Sequence, residues 1–142
     1  MGCTPHAIAN YGTNGLPCAD NINRAVKFFN KRLISLLDAL NNNLTDANFI
    51  FINIYDMTIE GLANHSSLGF RVANTGCCGL GKNNGLLTCL PLQVPCFNRT
   101  EYVFWDAFHP TKAANIISAR RSYAAQNPSD AYPIDISRFA RL

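Results

Sequence analysis

A short run of apolar, β-forming residues constrains the fold of this chain more than any other feature. Nearly every side chain from Phe49 to Tyr55 is apolar, a pattern typical of a strand buried on both faces in a parallel sheet covered by helices. Such a strand needs backbone partners on both edges, and no other segment predicts a convincing strand. The sequence therefore predicts an α/β fold that is part of a doubly wound sheet.

Helical patterns lie on either side of this strand. Residues 20–43 carry apolar side chains at three- and four-residue steps, which predicts one long amphipathic helix whose apolar stripe packs in the core. Asp20 is the expected N-cap of that helix. A shorter helix is predicted for residues 58–65, and a last helix for residues 110–126, with Pro110 at its first position.

The remaining segments lack a regular pattern. Residues 66–101 are rich in Gly, Asn, Cys and Pro and are too long for an ordinary connection, so we predict a disulfide-stapled excursion beside the functional site. Residues 132–142 are expected to form an extended tail. Because no linker or internal repeat divides the chain, residues 1–142 are expected to form one domain.

Composition excludes several classes of protein. Of the 142 residues, 48% are hydrophobic and 15% are charged, which is typical of a globular chain with a sizeable core. The net charge of +3 is mild and the basic residues are scattered, so no nucleic-acid partner is expected. No apolar run approaches the roughly 20 residues that a transmembrane helix needs.

The six cysteines indicate an oxidising compartment. They fall into two groups along the chain, one made of Cys3 and Cys18 and the other of Cys77, Cys78, Cys89 and Cys96. The simplest hypothesis pairs the first two with each other and the other four among themselves, so that each of the adjacent Cys77 and Cys78 takes Cys89 or Cys96. A zinc site made of the last four is the alternative, although adjacent cysteines are not the usual ligand spacing.

Three glycosylation sequons support the same compartment. The acceptor asparagines are Asn43, Asn64 and Asn98, each followed two residues later by Ser or Thr. The first residues have no basic start and no long apolar core, so they do not predict a signal peptide. A secreted composition without a signal is what we expect of an N-terminally truncated chain.

One short motif carries the chemistry that this chain can perform. Asp106 lies three residues before His109, aromatic residues surround both, and Pro110 follows directly. A residue before proline favours an extended backbone, which places the imidazole on the turn that enters the last helix. A carboxylate bound to one ring nitrogen leaves the other as a proton acceptor, which is the base half of a hydrolytic triad. On spacing alone, a helix-capping histidine and a solvated aspartate are the more ordinary explanation.

The wider sequence resembles one known family. Residues 104–111, Phe-Trp-Asp-Ala-Phe-His-Pro-Thr, followed by Ala-Ala-Asn at 113–115, resemble the last sequence block of plant GDSL-type esterase/lipases of the SGNH hydrolase superfamily. Further matches follow the family's order along essentially the whole chain: Gly-Cys-Thr-Pro at residues 2–5, Phe-Ile-Asn-Ile-Tyr-Asp at 51–56, Gly-Phe at 69–70, Cys-Cys-Gly at 77–79, Thr-Cys at 88–89, Pro-Cys-Phe-Asn-Arg at 95–99 and Tyr-Pro-Ile-Asp-Ile at 132–136. So many ordered matches make the resemblance specific.

This resemblance implies the C-terminal part of a three-layer αβα SGNH-hydrolase fold, which is flavodoxin-like and has a parallel sheet. It implies a secreted full-length protein that hydrolyses a small-molecule carboxylic ester or lipid acyl ester by a Ser-His-Asp mechanism without a cofactor, with this chain supplying Asp106 and His109. The sequence lacks the Gly-Asp-Ser nucleophile block and both oxyanion-hole blocks. Gly12-Thr13-Asn14 resembles the family's asparagine block only superficially, because it follows the Gly-Cys-Thr-Pro turn and lacks the next Asp. We therefore expect this chain alone to be inactive.

Two other functions stay open at this point. A truncated, non-catalytic chain would keep the aspartate and histidine unused, whereas a small disulfide-rich binding domain would need neither the motif nor a buried parallel strand. The other titratable residues are expected to be structural: Asp56 as a helix-starting acid, His6 and His65 on the surface or in turns, and Asp20, Asp38, Asp46, Asp130 and Asp135 as caps or solvated charges. Trp105 and Phe108 are expected to pack the turn. No oligomeric state is predicted.

Overall fold

The computed structural model describes residues 1–12 and 18–142. Its helices are α1 (Pro5–Tyr11), α2 (Asp20–Asn43), α3 (Ile54–Ala63), α4 (Lys112–Tyr123) and α5 (Ile136–Phe139). Its strands are β1 (Phe51–Ile52), β2 (Val72–Gly76), β3 (Tyr102–Phe104) and β4 (Ala131–Tyr132), and short 3-10 helices span Lys82–Asn84 and Arg99–Glu101. Thr13 and Asn14, to which we assign no role, lie outside the described residues. In the described ranges, no helix is both long enough and apolar enough to cross a membrane.

A small parallel sheet positions the predicted site. β2 and β3 pair in parallel, with Gly76 opposite Phe104. The ladder continues beyond both strands, because the N–H groups of Cys77 and Cys78 donate to the carbonyls of Phe104 and Trp105 at 3.0 and 2.8 Å. The α/β class with a parallel sheet agrees with the prediction. The prediction was wrong about β2, however, because it placed these residues in an irregular excursion.

The apolar run at residues 49–55 does not form the predicted strand. Only β1 is extended, and it pairs antiparallel with β4. The chain turns into α3 directly afterwards because Asn53 caps that helix. The Asn53 Oδ1 accepts the Asp56 N–H at 3.2 Å, and the Asn53 amide donates to the Asp56 carboxylate at 2.7 Å. A parallel strand reaching Tyr55 and a helix beginning at residue 58 were therefore both wrong, and Asp56 has the structural role expected of it.

The long helix α2 has the predicted bounds but not the predicted packing. Its N-cap is Ala19, which provides no side-chain hydrogen bond, so Asp20 lies in the first turn and is not the cap. Leu37 is the one residue of the apolar stripe that is buried, whereas Phe29 is 65% exposed and Leu36 is 54% exposed. Core packing of the stripe was therefore confirmed for Leu37 and wrong for Phe29 and Leu36, and its other members, Ile22, Val26, Leu33 and Leu40, are half-buried.

An open apolar groove lies beside the exposed side of α2. The groove has a volume of about 570 Å³. Its lining includes Val26 and Phe29 of α2, Phe51 of β1, Ile59 of α3 and Phe104 of β3. Apolar side chains from four elements thus converge on a space that the described residues do not fill.

Three disulfides cross-link the chain. Cys3 is bonded to Cys18, Cys77 to Cys96 and Cys78 to Cys89, which follows the grouping expected from the sequence. All four cysteines of the second group are engaged in these bonds, so the alternative of a zinc site is wrong. The two bonds of that group attach Cys89 and Cys96, in the later part of the excursion, to the end of β2.

A buried ion pair fixes the C-terminal part of the chain. Arg121 of α4 donates to Asp130, with Nε 3.0 Å from Oδ2, and to Glu60 of α3 at 2.7 Å. Burial of Asp130 opposes its ionisation, but hydrogen bonds from Arg121 and from two backbone N–H groups outweigh it and lower the pKa of this carboxyl. Asp130 was expected to be a cap or solvated, which is wrong. The tail was expected to be extended, but it continues into α5, for which Asp135 is the N-cap.

Candidate active site

The Asp–His motif lies on the turn between β3 and α4, and backbone hydrogen bonds fix this turn. Trp105 donates its N–H to the His109 carbonyl at 2.7 Å, and Thr111 donates its N–H to the Val103 carbonyl at 2.8 Å. Thr111 is also the N-cap of α4, because its hydroxyl oxygen accepts an N–H of the first turn at 3.3 Å. The predicted helix start at Pro110 was therefore two residues early, and its predicted end was three residues late.

The carboxylate of Asp106 organises the backbone that carries the histidine. Its Oδ1 accepts the N–H of Phe108 at 2.9 Å and the N–H of His109 at 2.8 Å. Aspartate commonly stabilises turns through such bonds to N–H groups just ahead of it. The spacing of three residues between the carboxylate and the imidazole is thus the spacing that this turn requires.

The same carboxylate orients the imidazole ring. His109 Nδ1 lies 2.9 Å from Asp106 Oδ1 and 3.0 Å from Oδ2. An ionised carboxylate can only accept hydrogen bonds, so Nδ1 carries the hydrogen and Nε2 of the neutral ring is left as the acceptor. The Asp106 side chain is 6% exposed, whereas the His109 side chain is 72% exposed. The ring is therefore held from one side and open to an incoming group on the other.

Asp106 is held in its ionised form by hydrogen bonds. Burial of the carboxyl raises its pKa, but hydrogen bonds from the Thr88 hydroxyl, from the backbone of His109 and Phe108 and from the imidazole outweigh burial. The net result lowers the pKa of Asp106 to about 2. The carboxylate is consequently charged throughout the pH range in which a neutral imidazole can act as a base.

Sequence reasoning did not assign two further residues to this site. Thr88 lies 18 positions before Asp106, yet its hydroxyl donates to Asp106 Oδ2 at 2.5 Å. Gly76 packs directly against the backbone of Asp106, since a Cβ at this position would lie 3.0 Å from the Asp106 carbonyl carbon and oxygen. The cysteine pattern was the available signal, because the Cys78–Cys89 bond brings the residue before Cys89 to the end of β2.

The two aromatic residues of the motif have different neighbours. The rings of Phe108 and His6 are tilted by 35° with centroids 4.5 Å apart, and the Phe108 and His109 centroids are 6.5 Å apart. His6 was expected on the surface or in a turn, but it lies in α1, is half-buried, and its Nδ1 lies 3.1 Å from the Gly85 carbonyl oxygen. Trp105 is half-buried, with the Arg99 guanidinium 5.8 Å from its ring centroid.

The other candidate residues lie apart from this pair. His65 Nδ1 lies 3.0 Å from the Phe70 carbonyl oxygen, and Asp56 lies in the first turn of α3, where it is hydrogen-bonded to the N-cap Asn53. Within residues 1–12 and 18–142, no serine hydroxyl forms a hydrogen bond with His109. The three sequon asparagines, Asn43, Asn64 and Asn98, are all exposed. Their glycosylation stays a prediction.

Comparison with known proteins defines the class of protein. The sequence profile described as GDSL-like Lipase/Acylhydrolase matches residues 1–122, and the chain belongs to this family. Three Arabidopsis thaliana relatives, each named as a GDSL esterase/lipase, are 57%, 54% and 51% identical over 142 residues. The alignments cover 100% of this chain but only 39% of each relative. No solved structure matches the chain. The family predicted from the sequence motifs is thus confirmed.

Proposed function

We propose that His109 is the base and Asp106 the orienting carboxylate of a Ser-His-Asp ester hydrolase, to which residues 1–142 contribute the C-terminal part. The observation that carries this proposal is the contrast between the two side chains. A buried, ionised Asp106 binds Nδ1 of His109 through both oxygens, while the ring is 72% exposed. Nε2 is then available as a proton acceptor, as a triad base requires.

The proposed reaction assigns one role to each of these groups. A serine oxygen attacks the ester carbonyl, and His109 Nε2 takes the serine proton. Asp106 keeps the ring in the tautomer with hydrogen on Nδ1 and stabilises the imidazolium that forms. Nε2 then returns the proton to the departing alkoxide, and the same base activates the water that releases the acid from the acyl-enzyme.

The nucleophile and the oxyanion donors are proposed to come from polypeptide outside residues 1–142. The sequence contains no Gly-Asp-Ser block, and the chain spans 39% of the length of its relatives. The exposed apolar side chains of α2 and the groove beside them support this proposal, because apolar surfaces of this kind are normally covered. The complete domain would then have the three-layer αβα architecture, with the remaining strands and helices packed on this face.

The substrate class and the compartment follow from the same proposal. The relatives are named as esterase/lipases, so a small-molecule carboxylic ester or a lipid acyl ester is the proposed substrate, and no cofactor is required by the mechanism. Three disulfides and three exposed sequons support a secreted protein. The groups that bind the acyl chain and the alcohol are expected to lie largely in the rest of the domain.

A non-catalytic role is the second candidate. It is favoured by the lack of a hydrogen bond between His109 and any serine of the described residues. Under this alternative the pair keeps its geometry without a nucleophile to activate. The two functions differ in whether a longer chain that includes a Gly-Asp-Ser block is active.

The test compares residues 1–142 with the same chain joined to a family N-terminal portion that carries Gly-Asp-Ser. A serine-directed fluorophosphonate probe should label the joined protein stoichiometrically and leave residues 1–142 unlabelled. Ester turnover of the joined protein should fall by about three orders of magnitude or more in His109→Ala, and severely in Asp106→Asn, which can favour the wrong tautomer. His65→Ala and Asp56→Asn are the matched controls and should retain activity.

Three results would count against the proposal. Near-normal turnover in folded His109→Ala would remove its role as the base. Probe labelling of residues 1–142 at one of their own serines would place the nucleophile within this chain. A joined protein that folds but neither hydrolyses esters nor reacts with the probe would favour the non-catalytic alternative.

A further inference from the structure

A short loop beside the site is clamped at both ends. The loop begins directly after Cys89 and ends directly before Cys96. Cys89 is bonded to Cys78 and Cys96 to Cys77, and these two partners are adjacent residues at the end of β2. The Cys96 N–H also donates to the Cys77 carbonyl at 2.7 Å. Residues 90–95 therefore form a closed loop whose two ends are fixed to the strand that supports Asp106.

The side chains of this loop are arranged in the opposite way to those of an ordinary surface loop. Its one polar side chain, that of Gln93, points inward, where its amide donates to the Gly79 carbonyl at 2.5 Å and its Oε1 accepts the Leu90 N–H at 3.1 Å. The apolar side chains point outward: Leu92 is 102% exposed, Val94 is 88% exposed and Phe97, just beyond the loop, is 108% exposed. None of residues 86–97 is charged.

The backbone conformation at the tip of the loop is unfavourable for Leu92, and no packing of its side chain offsets this. Leu92 follows Pro91 in a turn that is closed by the Gln93 N–H and the Leu90 carbonyl at 3.1 Å. The φ of Leu92 is +67°, a conformation that glycine or asparagine normally supplies at this position. A leucine there costs about 1–2 kcal/mol and places an apolar side chain in water. Folding alone does not favour leucine at this position.

The loop is directly connected to the proposed active site. Thr88, next to Cys89, donates its hydroxyl to Asp106 Oδ2. The N–H of Cys78, which holds Cys89, donates to the Trp105 carbonyl at 2.8 Å. The base of the loop is therefore held against the turn that carries Asp106 and His109.

From these contacts we infer that residues 90–97 are an interfacial loop that inserts Leu92, Val94 and Phe97 into a lipid surface. This inference rests on the proposed function, since it describes how a lipid ester would reach His109. A fluid lipid surface suits protruding, uncharged side chains because burying them removes apolar area from water without requiring a matching cavity. The disulfides and the two prolines of residues 90–95 reduce the conformational entropy that insertion would otherwise cost.

The test measures flotation of the disulfide-bonded chain with phosphatidylcholine vesicles in a density gradient. The loop variant is Leu92→Ser/Val94→Ser/Phe97→Ser. The matched control is Phe28→Ser/Phe29→Ser/Leu36→Ser on α2, where the side chains are 70%, 65% and 54% exposed. We expect the wild-type chain to float, the loop variant to bind on the order of a hundredfold more weakly, and the α2 variant to bind within about threefold of wild type. Titration of free thiols checks that both variants keep their disulfides.

The wild type and the loop variant of the longer protein with Gly-Asp-Ser test whether the loop stays accessible there. Loss of flotation in the loop variant at both lengths of protein, with flotation retained by the α2 variant of residues 1–142, supports the inference. Flotation that depends on the α2 residues and not on the loop overturns it, and so does a longer protein that fails to float. Hydrolysis of a monomeric, water-soluble ester is measured separately. Vesicle binding without hydrolysis would refute the proposed function and support the interfacial loop. Hydrolysis without vesicle binding would support the proposed function and refute the interfacial loop.

Discussion

Replacing Thr88 by valine tests how the site keeps Asp106 ionised. The pKa of Asp106 lies at about 2 instead of its ordinary 3.8, and one pH unit corresponds to about 1.4 kcal/mol. The ionised carboxylate therefore adds about 2 kcal/mol to the free energy of unfolding at neutral pH. Because the pKa is lower in the folded protein, this contribution is present above about pH 5 and is lost as the pH falls through 4 towards 2.

Thr88→Val keeps the shape of the side chain and removes one hydrogen bond to the charged carboxylate. Such a bond contributes about 1.5–3 kcal/mol, so at pH 7 the variant should lose most of the stabilisation that ionised Asp106 gives the folded chain. At pH 2 the carboxyl of Asp106 is about half protonated in the wild type, so only a small part of its contribution remains and the two proteins should differ little in stability. The difference between valine and threonine should therefore shrink as the pH falls.

The measurement is urea unfolding of the disulfide-bonded chain at pH 7, 5, 3.5 and 2, with Thr88→Ser as the control. Serine keeps the hydroxyl, so its difference from wild type should not depend on pH. Asp130 and Asp135 also have lowered pKa values, but they titrate equally in all three proteins, and the differences between proteins isolate Asp106. A valine effect that is the same at every pH, or a serine effect as large as that of valine, would refute the role assigned to Thr88.

Three further predictions concern packing and covalent structure. Arg121→Met should lower the free energy of unfolding by about 3–5 kcal/mol because it leaves a buried carboxylate unpaired, whereas Glu60→Gln, at a side chain that is 48% exposed, should cost about 1 kcal/mol or less by urea unfolding. Gly76→Ala should lower the melting temperature because a Cβ would press on the Asp106 backbone, whereas Gly61→Ala in α3, with its nearest neighbour at 3.8 Å, should raise it. Native secreted protein should have no free thiol, and a glycan on at least one sequon, by thiol titration and by mass spectrometry after deglycosylation. Six reactive thiols would contradict an oxidising compartment.

Helix α2 was predictable because its signal is local and repeated. Apolar residues recur at helical spacing over residues 20–43, and both ends of the helix agree with that pattern. What the helix packs against is not a local property. The pattern predicts a face that packs in the core, yet Phe29 and Leu36 are exposed among the described residues, so their environment could not be derived from the helix alone.

The strands were less predictable because their partners determine them. The run at residues 49–55 has the stronger β propensity, but a capping interaction of Asn53 ends the strand after two residues. β2 reads Val-Ala-Asn-Thr-Gly, which has little β propensity, yet pairing with β3 and the two disulfides at its end hold it extended. Tertiary context outweighs propensity in both cases.

The two halves of the site differ in the same way. The contact between Asp106 and His109 could be predicted because a single aspartate both forms the turn and binds the imidazole, so all of the geometry lies within four residues. Thr88 reaches Asp106 only through the fold of the excursion and its disulfide, and no local pattern encodes that contact. The orientation of the imidazole is therefore a property of the turn itself, whereas the low pKa of the carboxyl also depends on the excursion. A change in the excursion, such as loss of the Thr88 hydroxyl, should therefore raise the pKa of Asp106 while the orientation of the His109 ring is kept.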